Sequence, residues 1–119
     1  MDAKNWQKRI KDAAVSVGTY RPAFDSVIET LADILARRDQ IREAFEESGE
    51  PSVVEHTNKG GSTNLEQNPA VRLINDLNRD ALAYWRDLGL TPAGLKRINE
   101  KAMDKKKGNA LAEALREVG

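Results

Sequence analysis

The side chains in this sequence that could do chemistry are few. One histidine, His56, is followed closely by two hydroxyls, Ser62 and Thr63. A serine beside a histidine is the raw material of an activated nucleophile, but the base must be oriented by a third group. Near neighbours in one short β-prone run are weak evidence for that arrangement, so His56 reads first as a surface or packing residue. A single histidine with no cysteine cannot supply the usual zinc ligand set. Gly60-Gly61 lacks the Lys-Ser/Thr that completes a phosphate loop. Carboxylates are plentiful but sit on helix faces beside basic residues. No residue here is expected to be catalytic or to hold a metal or cofactor, and the chain is expected not to be an enzyme.

The basic residues say more. Nineteen Lys and Arg balance nineteen Asp and Glu, for a net charge of zero. Their distribution is uneven. Residues 1–11 carry a net +3, 12–95 a net −6, 96–107 a net +4 and 108–119 a net −1. Basic flanks on an acidic body can contact phosphate while the body makes protein contacts. Solvated helix ends would look the same, since lysine near a helix C-terminus complements the dipole. Lys4, Lys8 and Lys11 share one side of a helix, with Trp6 on the other at ~100° per residue. Lys96, Arg97 and Lys101 form a second basic group. Arg38 and Arg42 are reserve candidates, because they fall inside an otherwise apolar stripe. They either snorkel and pair, as Asp39–Arg42 and Arg42–Glu46 spacing permits, or face a subunit interface or a nucleic acid.

These residues need elements to position them. Trp6, Ile10, Ala13, Ala14 and Val17 are spaced as one helical face, with Asp2 as cap and Gly18 as stop. Pro22 opens a long helix that runs to about Ser48 and ends at Gly49. Its stripe is Phe24, Val27, Ile28, Leu31, Ile34, Leu35, Ile41 and Phe45. A β-prone run at 52–57, a turn at Asn58-Lys59-Gly60-Gly61 and a return at 62–65 predict a hairpin, or an extended loop, between two helices. An isolated hairpin is marginal and needs something to pack on. Asn68-Pro69 opens a helix ending near Leu88-Gly89. Its apolar residues cover an arc of about 180°, wider than the ~100° one partner needs. The opposite side, with Arg72, Asp76, Arg79, Asp80, Arg86 and Asp87, reads as solvated and self-paired. Thr91-Pro92 opens a shorter helix on Leu95, Ile98 and Ala102. Lys105-Lys106-Lys107-Gly108 is expected to break it, and Asn109 to cap a last short helix on Leu111, Ala114, Leu115 and Val118.

The expected fold is all-α with a small β-hairpin insertion: an antiparallel long-helix hairpin flanked by short helices, in one domain over 1–119. Its parts are an N-terminal helix (1–18), the helical hairpin (20–90, with strands at about 52–65) and C-terminal helices (91–119). The over-wide apolar arc points to a closed homo-oligomer, with Leu82 and Trp85 as interface candidates. With 39% apolar and 32% charged residues and no cysteine, disulfide scaffolds and cysteine-bearing metal knuckles are excluded. No apolar run approaches the ~20 residues of a membrane span, and the start lacks the apolar core of a secretory signal.

Three passages together resemble a known family. One is the long helix carrying LADILARRDQIREAFEESG. The second is the hairpin leading into an Asn-Pro helix start, TNKGGSTNLEQNPAV. The third is LGLTP at 88–92. Over about two-thirds of the chain, from 20 to 98, this layout is similar to the small subunit of the phage DNA-packaging terminase. Where the family often follows LTP with serine and arginine, this chain has Ala93-Gly94-Leu95-Lys96-Arg97, which keeps positive charge nearby. The resemblance implies a non-catalytic DNA-recognition component acting in the host cytoplasm. It would assemble into a ring, bind the packaging start site in viral double-stranded DNA and modulate a large subunit that holds the ATPase and nuclease. The competing hypotheses are a helical homo-oligomeric protein–protein adaptor that binds no nucleic acid, and a small enzyme using His56 with nearby carboxylates.

Overall fold

The computed structural model describes residues 1–118; Gly119, the last residue of the expected domain, lies outside the described residues, as does the Val118 side chain of the expected terminal stripe. The elements in chain order are α1 (Ala3–Val17), a 3₁₀ turn (Pro22–Phe24), α2 (Asp25–Ser48), β1 (Val53–Thr57), β2 (Thr63–Gln67), α3 (Pro69–Asp87) and α4 (Pro92–Val118). Polar caps set the helix starts. The Asp2 side chain accepts the Asn5 N–H at 2.8 Å, and the Asn68 side chain accepts the Ala70 N–H at 2.9 Å. Thr91 Oγ1 accepts the Gly94 N–H at 3.0 Å, so each Asx/Thr-Pro or Asp signal in the sequence is a cap that forms. Asn68 is itself buried and anchored, donating from Nδ2 to Glu50 Oε2 (3.0 Å) and to the Pro51 carbonyl (3.1 Å). That buried amide clamps the two ends of the hairpin insertion together.

The helices α1, α2 and α3 run antiparallel in sequence order and enclose the core. Ile10, Ile28, Leu31, Ala32, Leu35, Ala81 and Leu88 are buried in it, with Trp6, Tyr20, Val27, Ile34, Tyr84, Trp85 and Leu90 packed around them. Ile10, Leu31 and Leu35 are fully enclosed. Each such side chain is worth about 1.5–3 kcal/mol of transfer from water, so these three positions decide whether the bundle closes. Thr19, also buried, donates its hydroxyl to the Leu88 carbonyl at 2.7 Å and ties the α1–α2 turn to the end of α3.

The α3–α4 joint depends on two glycines. Gly89 has φ +71°, and a Cβ there would come within 2.9 Å of Ile98 Cδ1 and of Thr19 Cγ2. A Cβ on Gly94 would collide with the Arg86 carbonyl oxygen, so the first turn of α4 lies directly on the last turn of α3. This approach fixes where α4 leaves the body.

Two features differ from expectation. The hairpin forms, with Val53 opposite Gln67 and Thr57 opposite Thr63, but none of its strand residues is buried. Every residue of both strands is exposed except the half-buried Val54. Its stability is local: Asn58 Oδ1 accepts N–H bonds from Gly60 and Ser62 in the turn, and the Thr57 and Thr63 hydroxyls meet at 3.1 Å. The second difference is α4, which is one helix of 27 residues, not two short ones. Lys105-Lys106-Lys107-Gly108 does not break it. Lysine is a good helix former, and a single interior glycine costs only about 1 kcal/mol, which weakens a helix already under way without ending it. From 99 to 117 the helix is exposed on every side. With the hairpin at one end of the α2–α3 pair and α4 leaving the other, the molecule is elongated, 82 × 34 × 19 Å.

Candidate nucleic-acid interface

The three basic groups singled out from the sequence meet three different environments. Lys4, Lys8 and Lys11 are exposed and do line up along α1, on one wall of a groove of about 430 Å³. The other wall is α2, with Asp25 and Glu29, so two carboxylates already share the lysines' surroundings. The Lys11 ammonium also sits 4.9 Å above the Tyr20 ring, while the Tyr20 hydroxyl donates to Asp25 Oδ1 at 2.7 Å. The face is basic, with acid alongside it.

Arg38 belongs to the fold. Its guanidinium donates to Asp39 Oδ1 through Nε (3.2 Å) and Nη2 (2.9 Å), and to Asn78 Oδ1 through Nη1 (3.1 Å). It also lies 5.6 Å from the centre of the Trp6 ring and is 17% exposed. Trp6 donates its indole N–H to the other oxygen of Asp39 at 2.8 Å, and the amino terminus pairs with that oxygen at 3.4 Å. Burial pushes the Asp39 carboxyl upward. The Trp6 and Arg38 hydrogen bonds, the Arg38 charge and the terminal amine outweigh it and hold the group below its ordinary 3.8. This carboxylate joins α1 to α2, Arg38 carries the link on to Asn78 of α3, and Trp6 anchors α1 to the body as its position in the stripe suggests. Arg42, one turn further along α2, is exposed, and the pairs expected with Asp39 and Glu46 do not form.

The α4 group splits. Lys96 points along one face and pairs with Glu100 at 3.9 Å. Arg97 and Lys101 turn to the adjacent face, where they line a groove of about 250 Å³ with Arg86, Asp87, Gly94 and Ile98. None of Arg86, Arg97 and Lys101 forms an ion pair among the described residues. Arg86, expected on a self-paired helix face, therefore joins Arg97 and Lys101 in a cationic site. On that face Arg79 does pair with Asp76, at 3.6 Å, but Arg86 does not pair. The signal that could have revealed it is Gly94: a glycine just inside a helix start lets the preceding helix end approach, and Arg86 is the residue it meets.

The two interface candidates also separate. Trp85 stacks edge-on against Trp6, with ring centres 6.4 Å apart and planes at 68°, and is half-buried within the chain. Leu82 is 45% exposed, as is Leu73 on the opposite edge of the apolar arc. His56 pairs across the hairpin with Asn64, and among the described residues it makes no side-chain hydrogen bond to Ser62 or Thr63.

Residues 3–105 match the family described as phage terminase, small subunit. The chain belongs to that family. The match takes in α1, the whole helical hairpin with its insertion, and the basic half of α4, which is more than the 20–98 stretch carrying the sequence resemblance. No curated protein and no solved structure matches the chain. Family membership gives this small subunit a role in phage genome packaging. No helix among the described residues is long and apolar enough to cross a membrane.

Proposed function

We propose that this terminase small subunit is the non-catalytic DNA-recognition component of its packaging machine. In this reading it binds the packaging start site in viral double-stranded DNA and presents it to the large subunit, whose ATPase and nuclease it modulates. It works as a ring of identical copies in the host cytoplasm, with Leu82 at the copy-to-copy contact. The observation that best supports DNA binding is the unpaired Arg97 and Lys101 beside Arg86, within the segment matched to the family. Phosphate contacts of this kind position a protein on duplex without reading bases, and a ring multiplies weak contacts into useful avidity.

The test is salt-titrated binding of packaging-site duplex by three charge-reversal variants, each checked first by native mass spectrometry for its assembly state. The expected order of loss is Lys96/Arg97/Lys101→Glu first, then Lys4/Lys8/Lys11→Glu, whose lysines already have carboxylate neighbours. Each lost phosphate contact should flatten the log–log salt slope by about 0.9. Arg38/Arg42→Glu should lose assembly and fold through Arg38 before binding can be read. If the α4 and α1 variants stay assembled and bind with an unchanged slope, DNA does not contact these groups. A wild-type chain that binds no duplex at low salt leaves the adaptor hypothesis in its place.

A further inference from the structure

Past the groove at the α3–α4 joint, the basic face continues along the exposed part of α4. Arg97, Lys101 and Lys105 are four residues apart, so they stand on one face of the helix with about 6 Å of rise between successive members. Gly94 and Gly108 lie at the two ends of that same face and present no side chain there. Arg86 enters from α3 at the Gly94 end. The result is a line of four cations, none with an ion-pair partner among the described residues; Asp87 lines the groove beside them, and Glu100 and Asp104, three residues from Arg97 and Lys101, flank the row without pairing with it. Lys106 falls on the other side of the helix, and Lys96 is engaged with Glu100.

The same line strains the helix that displays it. Like charges four residues apart disfavour helix, and here two such pairs follow each other. Beyond Ile98 no residue up to 117 is buried or half-buried, so no tertiary contact offsets that repulsion. Gly108 has nothing within 4 Å of a would-be Cβ, so it gains no packing in return for its backbone freedom. A helix without tertiary support is marginal in water.

We propose that Arg86, Arg97, Lys101 and Lys105 form one row that follows a single phosphodiester strand, and that occupying the row firms the free half of α4. Phosphate oxygens neutralise the guanidinium and ammonium groups, and the repulsion that weakens the helix disappears when the ligand arrives. Binding and helix formation are then two sides of one equilibrium. This rests on the DNA-binding reading above, adds Arg86 and Lys105 to it, and gives α4 a ligand-dependent stiffness.

The experiment uses the full chain and packaging-site duplex. Arg86→Gln and Lys105→Gln should each lower the salt slope by about one per engaged chain, while Lys106→Gln leaves it unchanged. Amide exchange over 101–117 should slow when duplex saturates the protein. Gly108→Ala should raise the helicity of the free chain by circular dichroism and tighten binding two- to about fivefold, because less helix has to form on binding. All four positions are exposed or at the surface of the joint, and denaturation of each variant checks that the body is intact. Unchanged slopes for Arg86→Gln and Lys105→Gln, with wild-type binding intact, overturn the row but leave the DNA-binding reading standing. Unchanged exchange, or unchanged affinity in Gly108→Ala, overturns the coupling. No duplex binding by the wild type overturns both.

Discussion

Two arginines separate the halves of this molecule. Arg38 in the body has a carboxylate, an amide and an aromatic ring as partners, and is largely buried. Arg97 on α4 has a neighbouring arginine and lysine and no acid paired to it. By residue type the two are the same signal. The difference is where the surrounding chain goes: α2 lies between two helices that supply partners, whereas α4 leaves the bundle after its second turn. Charge inside the three-helix body holds elements together, as the Asp39 junction does. Arg97 and Lys101 on α4 hold no acid of their own chain among the described residues, so they are available to a ligand.

That contrast can be broken most forcefully through the apolar residues. Leu31→Ala or Leu35→Ala should cost about 2–5 kcal/mol in urea unfolding, while Leu111→Ala and Leu115→Ala, 63% and 65% exposed, should stay within about 0.5 kcal/mol. A large cost for Leu115→Ala at high protein concentration only would mean that the free half of α4 is covered in the assembly. Next in size, Trp85→Ala should lose about 3 kcal/mol of folding stability through its contact with Trp6. Leu82→Ala should spare folding and lower the oligomer population in native mass spectra, which would assign the two candidates to different tasks. Gly89→Ala combines a left-handed backbone with two close contacts and should cost about 1–3 kcal/mol, with its thermal midpoint lowered accordingly.

A smaller effect sharpens the comparison by pH. The Asp39 carboxyl is held below 3.8, so its contribution is complete above that value and is lost as pH falls through its lowered folded-state value. Asp39→Asn should therefore reduce stability at neutral pH and show a shallower acid-side decline than wild type below about pH 4. Smallest of all, Arg42→Ala should change stability by no more than about 0.5 kcal/mol, where Arg38→Ala, which removes the donor to Asp39 Oδ1 and to Asn78 Oδ1, costs clearly more.

Local signals were readable from the sequence because their causes are local. The Asp2, Asn68-Pro69 and Thr91-Pro92 starts, the Gly18 and Gly49 stops and the β-prone run before the Asn58-Lys59-Gly60-Gly61 turn each depend on a few adjacent residues, and each forms. Trp6 as an anchor was also legible, because a large aromatic on an apolar stripe has few other places to go. The fate of Arg38 was not, since its partners Asn78 and Trp6 come from distant parts of the chain. Nor was Arg86, whose neighbours are set by the close approach at Gly94. The continuous α4 escaped for another reason: lysine runs and a glycine read as punctuation, yet each is only weakly unfavourable to a helix already under way.

The unsupported length of α4 also governs how the chain moves through water. Its radius of gyration is 22.2 Å, where a compact chain of this many residues would have about 13.5 Å. A single copy therefore meets the friction of a much heavier sphere. It should leave a sizing column early and sediment slowly, so that elution volume measures reach while mass measures the number of copies.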